Sequence, residues 1–273
     1  MLQLKINTIF FILGVLMNIL TDSHAHLTCE ELIPENNIKT LIQNAQDAGV
    51  KKILNICTSP DSLKRGARLQ NENDFIYNAA AATPHDVEKY QEEFLELVTQ
   101  YASEKKLVAI GETGLDYYYK NSSIELQKKY FKKYLTVAQR YQLPVIIHCR
   151  EAFDDMYKIL DDHYQGTAIL HCFTGSIKEA QKALERNMYI SFSGIVTFKN
   201  SVALRKVAAQ VPLEKMLIET DSPYLAPQKF RGQSNQPAYI VETAQQIADI
   251  KGVSLDEVAK ITSENFNSII KGV

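Results

Sequence analysis

The chain of 273 residues is 45% hydrophobic and 23% charged, an ordinary composition for a folded protein with enough length for one large core. Its net charge of −2 and pI near 6.3 exclude the basic field that drives indiscriminate binding to duplex nucleic acid, so a phosphate-bearing substrate would need metal ions to supply local positive charge. The four cysteines, Cys29, Cys57, Cys149 and Cys172, have neither CxxC spacing nor the density of a disulfide framework, which fits a reducing cytoplasm.

Residues 9–17 are strongly apolar but shorter than the roughly 20 residues of a membrane span, and a single basic residue, Lys5, precedes them. The nearby cleavage-like pattern, Ser23-His-Ala25, would separate His24 from His26 if cut. Met17-Asn-Ile-Leu-Thr-Asp22 makes a complete first strand unaided. The functional chain is therefore expected to begin at Met17, residues 1–16 being an extension outside the fold or a misassigned start, and 17–273 a single domain that stays in the cytoplasm, away from membranes.

From there, short apolar runs near 17–22, 51–56, 75–82, 107–112, 144–148, 167–171, 188–193 and 215–221 alternate with helical stretches near 36–48, 60–71, 86–103, 123–141, 151–163, 176–186 and 199–210. Two more helices, near 235–250 and 254–270, end the chain. Eight βα repeats predict a (β/α)8 TIM barrel. Polar residues at the ends of runs one, four, five, six and eight converge where all strand ends ring one mouth. An open doubly wound sheet would spread them at about 4.8 Å per strand.

Those polar strand ends carry the chemistry. His24 and His26 have the i, i+2 spacing that puts two imidazoles on one face of a strand. Glu112, His148, His171 and Asp221 each end a later apolar run. Together they provide four nitrogen donors and two carboxylates, enough for two divalent cations, with Glu112 as the natural bridge. Two cations about 3.5–4 Å apart can share a water and clamp both oxygens of a phosphodiester displacement. Asp221 can ligate one cation and accept the proton of the nucleophile. Cys149 and Cys172 follow His148 and His171, and strand alternation aims them away from the site.

The segments Ser23-His-Ala-His-Leu27, Gly111-Glu-Thr-Gly-Leu-Asp-Tyr-Tyr118, Pro144-Val-Ile-Ile-His-Cys-Arg-Glu-Ala152, His171-Cys-Phe-Thr-Gly-Ser176, Glu219-Thr-Asp-Ser-Pro-Tyr-Leu-Ala-Pro227 and Arg231-Gly-Gln-Ser-Asn-Gln-Pro237 resemble, in order, the signatures of TatD-family metal-dependent deoxyribonucleases. The resemblance implies a TIM-barrel hydrolase acting on DNA, often as a 3′ to 5′ exonuclease. It implies that His24, His26 and Asp221 hold one cation, His148 and His171 the other, and that Glu112 bridges. The chain departs from the family at Thr83, where a histidine is common, and at Ser234 and Gln236, where Arg and Glu are usual.

Around the site, Tyr117, Tyr118 and Tyr119 are candidates to stack on bases of a single strand or a 3′ end, with core packing or loop anchoring as the alternative for each. Arg150 suits a phosphate by its fork geometry, Arg231 is a further candidate, and Thr174-Gly-Ser176 offers backbone N–H groups at a helix start. Lys128, Lys129, Lys132 and Lys133 read as a solvated helix face. Histidine-rich ligation suits Zn²⁺ or Mn²⁺, and the resemblance implies Mg²⁺. The expected activity is two-metal hydrolysis of DNA phosphodiesters. Its rivals are hydrolysis of an amide, ester or aminoacyl ester on the same barrel, and metal binding without catalysis.

Overall fold

Each of the eight apolar runs forms a strand, because its β-branched residues are buried on both faces between an inner core and an outer layer of helices. The computed structural model describes residues 19–29, 33, 35–119 and 121–270; the expected 1–16 extension and the Met17 start lie outside the described residues. The strands are β1 (Leu20–Ala25), β2 (Val50–Cys57), β3 (Ile76–Ala80), β4 (Ala109–Asp116), β5 (Val145–Arg150), β6 (Ala168–Leu170), β7 (Tyr189–Phe192) and β8 (Met216–Ile218). They lie in one sheet in sequence order, every neighbouring pair parallel. A parallel bridge between Ala25 and Ser222 brings the two edges together, and Asp221 N donates to His24 O at 2.9 Å beside it. The fold is the predicted (β/α)8 barrel.

The helices α1 (Glu35–Asp47), α2 (Pro60–Glu72), α3 (Val87–Ser103), α4 (Ile124–Tyr141), α5 (Phe153–His163), α6 (Ile177–Glu185) and α7 (Val202–Gln210) each follow one strand. After β8 come α8 (Ile240–Lys251) and α9 (Leu255–Ile269). Serine caps start several of them: Ser59 and Ser176 close capping boxes, while Ser123 and Ser254 accept from the third residue of α4 and α9. Lys128 pairs with Asp155 at 2.8 Å and Lys133 with Glu92, so the lysine stretch of α4 is the solvated face predicted.

Two apolar layers hold the barrel. The larger packs strands against helices; the smaller, Leu54, Ile56, Ala79, Ala109, Ile146, Ile169 and Leu217, joins Phe266 and Ile269 of α9. Asn265 donates to Met216 O at 2.8 Å and Ser263 to Ile19 O at 2.8 Å, so α9 covers the end where β1 and β8 begin. The opposite end is left to the polar strand termini. No helix among the described residues is long and apolar enough to cross a membrane.

Two strands run furthest past their predicted ends. β1 runs through His24 to Ala25, and β4 through Glu112 to Asp116, buried at all eight positions. In β4 the pairing Gly114↔His148 and Asp116↔Arg150 continues the ladder although Gly111, Thr113 and Gly114 interrupt the apolar pattern. That extension matters for the site.

Candidate functional site

At the carboxyl end of the barrel, β1, β4, β5, β6 and the segment after β8 bring His24, His26, Glu112, His148, His171 and Asp221 together. His24 Nε2 and His26 Nε2 are 3.2 Å apart. Asp221 Oδ1 lies 3.3 Å from His26 Nε2 and 3.6 Å from His24 Nε2, and Glu112 Oε2 lies 3.4 Å from His24 Nε2. On the other side, His148 Nδ1 and His171 Nε2 are 3.2 Å apart, and each is 2.9 Å from Glu112 Oε1. Glu112 therefore gives one oxygen to each histidine pair. All six are buried or nearly so.

The donor set fits divalent metal ions: His24, His26 and Glu112 form one group with the makeup to hold an ion, and Glu112, His148 and His171 another. Imidazole nitrogens that face one another cannot all be donors, and their lone pairs converge with carboxylate oxygens on two points that Glu112 links. The protonation balance is set by the same packing. Burial would raise Glu112, but the charge of His171 and hydrogen bonds from His148, His171 and His24 hold it well below the usual carboxylate range. Burial likewise opposes the shift of Asp221, which His26 and His24 keep low. Against burial, Glu112 raises His171 well above the ordinary histidine range, and Asp116 and Glu112 raise His148. Burial lowers His24.

The backbone explains the placement. Asp22, fully buried in β1, accepts from Thr220 N at 2.9 Å and Thr220 Oγ1 at 2.6 Å, so β1 and the segment after β8 share one polar clamp. Burial raises the Asp22 carboxyl to about 7. Asp221 takes left-handed backbone with φ 58°, a conformation open to aspartate at low cost, where the chain leaves β8. Asn235 anchors the following loop by donating to Thr220 O at 2.8 Å and Tyr224 O at 2.6 Å.

Three further groups border the six. Asp116, whose side chain is wholly buried, sets Oδ2 3.0 Å from His148 Nε2, while Oδ1 accepts from Tyr118 N and Tyr119 N at 2.9 and 2.8 Å. A carboxylate on the far nitrogen of an imidazole fixes its tautomer and direction. His85 joins them, with Nε2 3.6 Å from Asp116 Oδ2 and its ring 5.5 Å from that of His148. Glu219, also wholly buried, lies behind His24 and His171. Strand alternation was the signal for Asp116, four residues past Glu112 in β4; Glu219, two residues before Asp221 and beyond the end of β8, left none.

The other candidates separate. Arg150 lies 3.8 Å over the Tyr118 ring and 4.7 Å over the Tyr119 ring, and both tyrosines are exposed. Tyr119 in turn meets His85 edge-on at 5.6 Å, which ties this aromatic and cationic group to the site. Tyr117 donates to Asp155 at 2.7 Å, the loop-anchoring alternative. Arg231 stacks 4.3 Å over Phe198 in a surface groove with Gln228 and Lys199. Ser176 caps α6 with its side chain, the ordinary role for Thr174-Gly-Ser176. Thr83 donates to Asp86 at 3.1 Å, Gln236 accepts from Asn44 at 2.9 Å, and Ser234 is exposed. Cys172 turns to Ser193 at 3.2 Å, and all four cysteines are free.

The model of the TatD-related DNase family matches residues 21–271. The chain belongs to this family. A relative, the uncharacterized metal-dependent hydrolase YabD of Bacillus subtilis, is 37% identical over 254 residues, covering 92% of this chain and 99% of that protein. The 3′-5′ ssDNA/RNA exonuclease TatD of Citrobacter rodentium is 33% identical, covering 91% and 96%. Among solved structures, the TatD homologue YJJV of Escherichia coli superposes with a TM-score of 0.87 at 27% identity, covering 94% of this chain and 100% of that one.

Proposed function

We propose that this TatD-family protein is a two-metal hydrolase of phosphodiester bonds in DNA, acting on single strands from the 3′ end. The observation that carries the reading is Glu112, with Oε1 on the His148/His171 pair and Oε2 on the His24/His26/Asp221 group. It is supported by the similarity to a relative that is a 3′-5′ exonuclease.

When bound, two divalent cations, Mg²⁺, Mn²⁺ or Zn²⁺, would polarise the phosphodiester and lower the pKa of a water they share. His24, His26 and Asp221 would hold one, His148 and His171 the other, and Glu112 both. The Asp221 carboxylate, kept low by its histidines, accepts the proton of the attacking water. The Arg150 guanidinium neutralises a neighbouring phosphate, while Tyr118 and Tyr119 stack on the terminal bases. Stacking on an open aromatic surface suits an unpaired strand and leaves sequence unread. Arg231 and Tyr117, engaged elsewhere, are the outlying members of the contact set. Four free thiols support a cytoplasmic protein.

The test is a 3′-labelled single-stranded oligonucleotide run beside a panel of amides, carboxyl esters and aminoacyl esters. Release of labelled mononucleotide before any shortening from the 5′ end is expected. Turnover of an amide or ester with the strand left intact overturns the reading.

A further inference from the structure

Few large apolar side chains of the described residues stand exposed, and three of the five that do, Tyr118, Tyr119 and Tyr224, lie in the loops after β4 and β8. β4 and β8 are four places apart in a ring of eight strands, so these loops face each other across the mouth. The side-chain contacts agree. Tyr224 meets His26 edge-on at 5.7 Å, and His26 Nε2 is 3.6 Å from Glu112 Oε2. On the other side His148 Nδ1 is 2.9 Å from Glu112 Oε1, and ring contacts run from His148 through His85 to Tyr119. Glu112 therefore lies between two aromatic walls, one beside each histidine pair.

The Tyr224 wall is anchored. Its N–H donates to Asp221 O at 2.9 Å, its carbonyl accepts from Asn235 at 2.6 Å, and its hydroxyl is 3.8 Å from the Cys29 thiol in the loop after β1. A ring held at three points can stack on a ligand without giving up the rotamer freedom that an unanchored side chain would lose. The residue nonetheless stays 44% exposed at the mouth, although burying a tyrosine is favourable.

We infer that Tyr224 forms a second base-stacking subsite: it holds the base on one side of the scissile phosphate, while Tyr118 and Tyr119 hold the base on the other. The inference rests on the proposal that a phosphodiester of the strand is cleaved over Glu112. Such a bond carries a nucleoside on each side, and a mouth with a π-face on each side matches that pattern. A carboxyl ester or an amide needs no such pair. Bases held by opposite walls cannot stack on each other, so the site takes a step that is already unstacked. That excludes paired duplex and leaves sequence unread.

The test is kinetics of the full chain, loaded with Mn²⁺, on 3′-labelled single strands that are intact or lack the base of the last or the next-to-last nucleotide. Tyr224→Leu fills the space without the π-face and is expected to raise KM about 5- to 100-fold with kcat little changed, the range of one base–aromatic stack. Tyr224→Phe, which keeps the ring, restores the wild-type KM. Tyr224→Gln should lose affinity as Tyr224→Leu does, so the result does not hang on the folding of one variant. Removing the base that Tyr224 holds should erase the difference between Tyr224→Leu and wild type, and removing the other should leave it. The double variant Tyr118→Leu, Tyr119→Leu should show the reverse pattern. Cleavage by Tyr224→Leu with the wild-type KM, or sensitivity of both walls to the same missing base, overturns the inference alone. A wild-type protein that leaves the strand intact overturns the proposed nuclease, and the inference with it.

Discussion

Glu112→Ala is expected to lower nuclease activity by about a thousandfold or more while the protein stays folded. Glu112 is the only one of the six proposed ligands whose two oxygens face both histidine groups, at 2.9 Å on one side and 3.4 Å on the other. Removing it leaves each group short of a ligand and removes the negative charge that holds two cations close together. A thousandfold loss is about 4 kcal/mol of transition-state stabilisation, the scale of one preorganised electrostatic contact in a water-poor site. The four imidazoles left behind can release their protons, so the barrel need not open. Kinetics on a labelled single strand, with metal content by mass spectrometry and a thermal melt, checks this. Two cations per chain with undiminished activity would show that Glu112 does not bridge.

The second large effect is structural. Gly114 lies opposite His148 in the β4–β5 ladder with φ 142°, and an added Cβ would sit 2.0 Å from His148 O and 3.0 Å from His148 C. No side-chain adjustment relieves a clash with backbone, and only glycine holds that φ without strain. Gly114→Ala should cost about 3–5 kcal/mol and lower the melting temperature by about 10 °C or more. It should also push β5 away from Glu112 and Asp116. Gly252 provides the control: it ends α8 in left-handed backbone with φ 68°, and nothing lies within 4 Å of its added Cβ. Gly252→Ala should cost only about 1 kcal/mol. Equal melting temperatures for the two variants would contradict the account of how β4 and β5 are held.

Much of this was legible in the sequence because ligands and strands coincide. A polar residue ending a β-branched run is visible without structure, and five such ends in a βα alternation require a closed ring. What stayed hidden lay past the apolar runs. β4 was expected to end at Glu112 because glycine and threonine break the pattern, yet its backbone keeps pairing with β5, and this carries Asp116 under His148. Glu219 was hidden for a different reason: it faces the backs of His24 and His171, and sequence spacing registers only the face that points into the mouth. His85 sits in the turn after β3. Its ring reaches His148 of β5 past the end of β4, a contact without a local signal. The three tyrosines were indistinguishable in sequence, and only the turn after β4 sends Tyr117 to Asp155 while Tyr118 and Tyr119 meet Arg150.

The central claim is that chemistry needs both cations that Glu112 would join. Metal-stripped protein restored with measured equivalents of Mn²⁺, and assayed at each step on a 3′-labelled single strand, tests it most directly. Activity should stay near background through the first equivalent and rise with the second. Full activity at one equivalent, or in the stripped protein with chelator present, would contradict it.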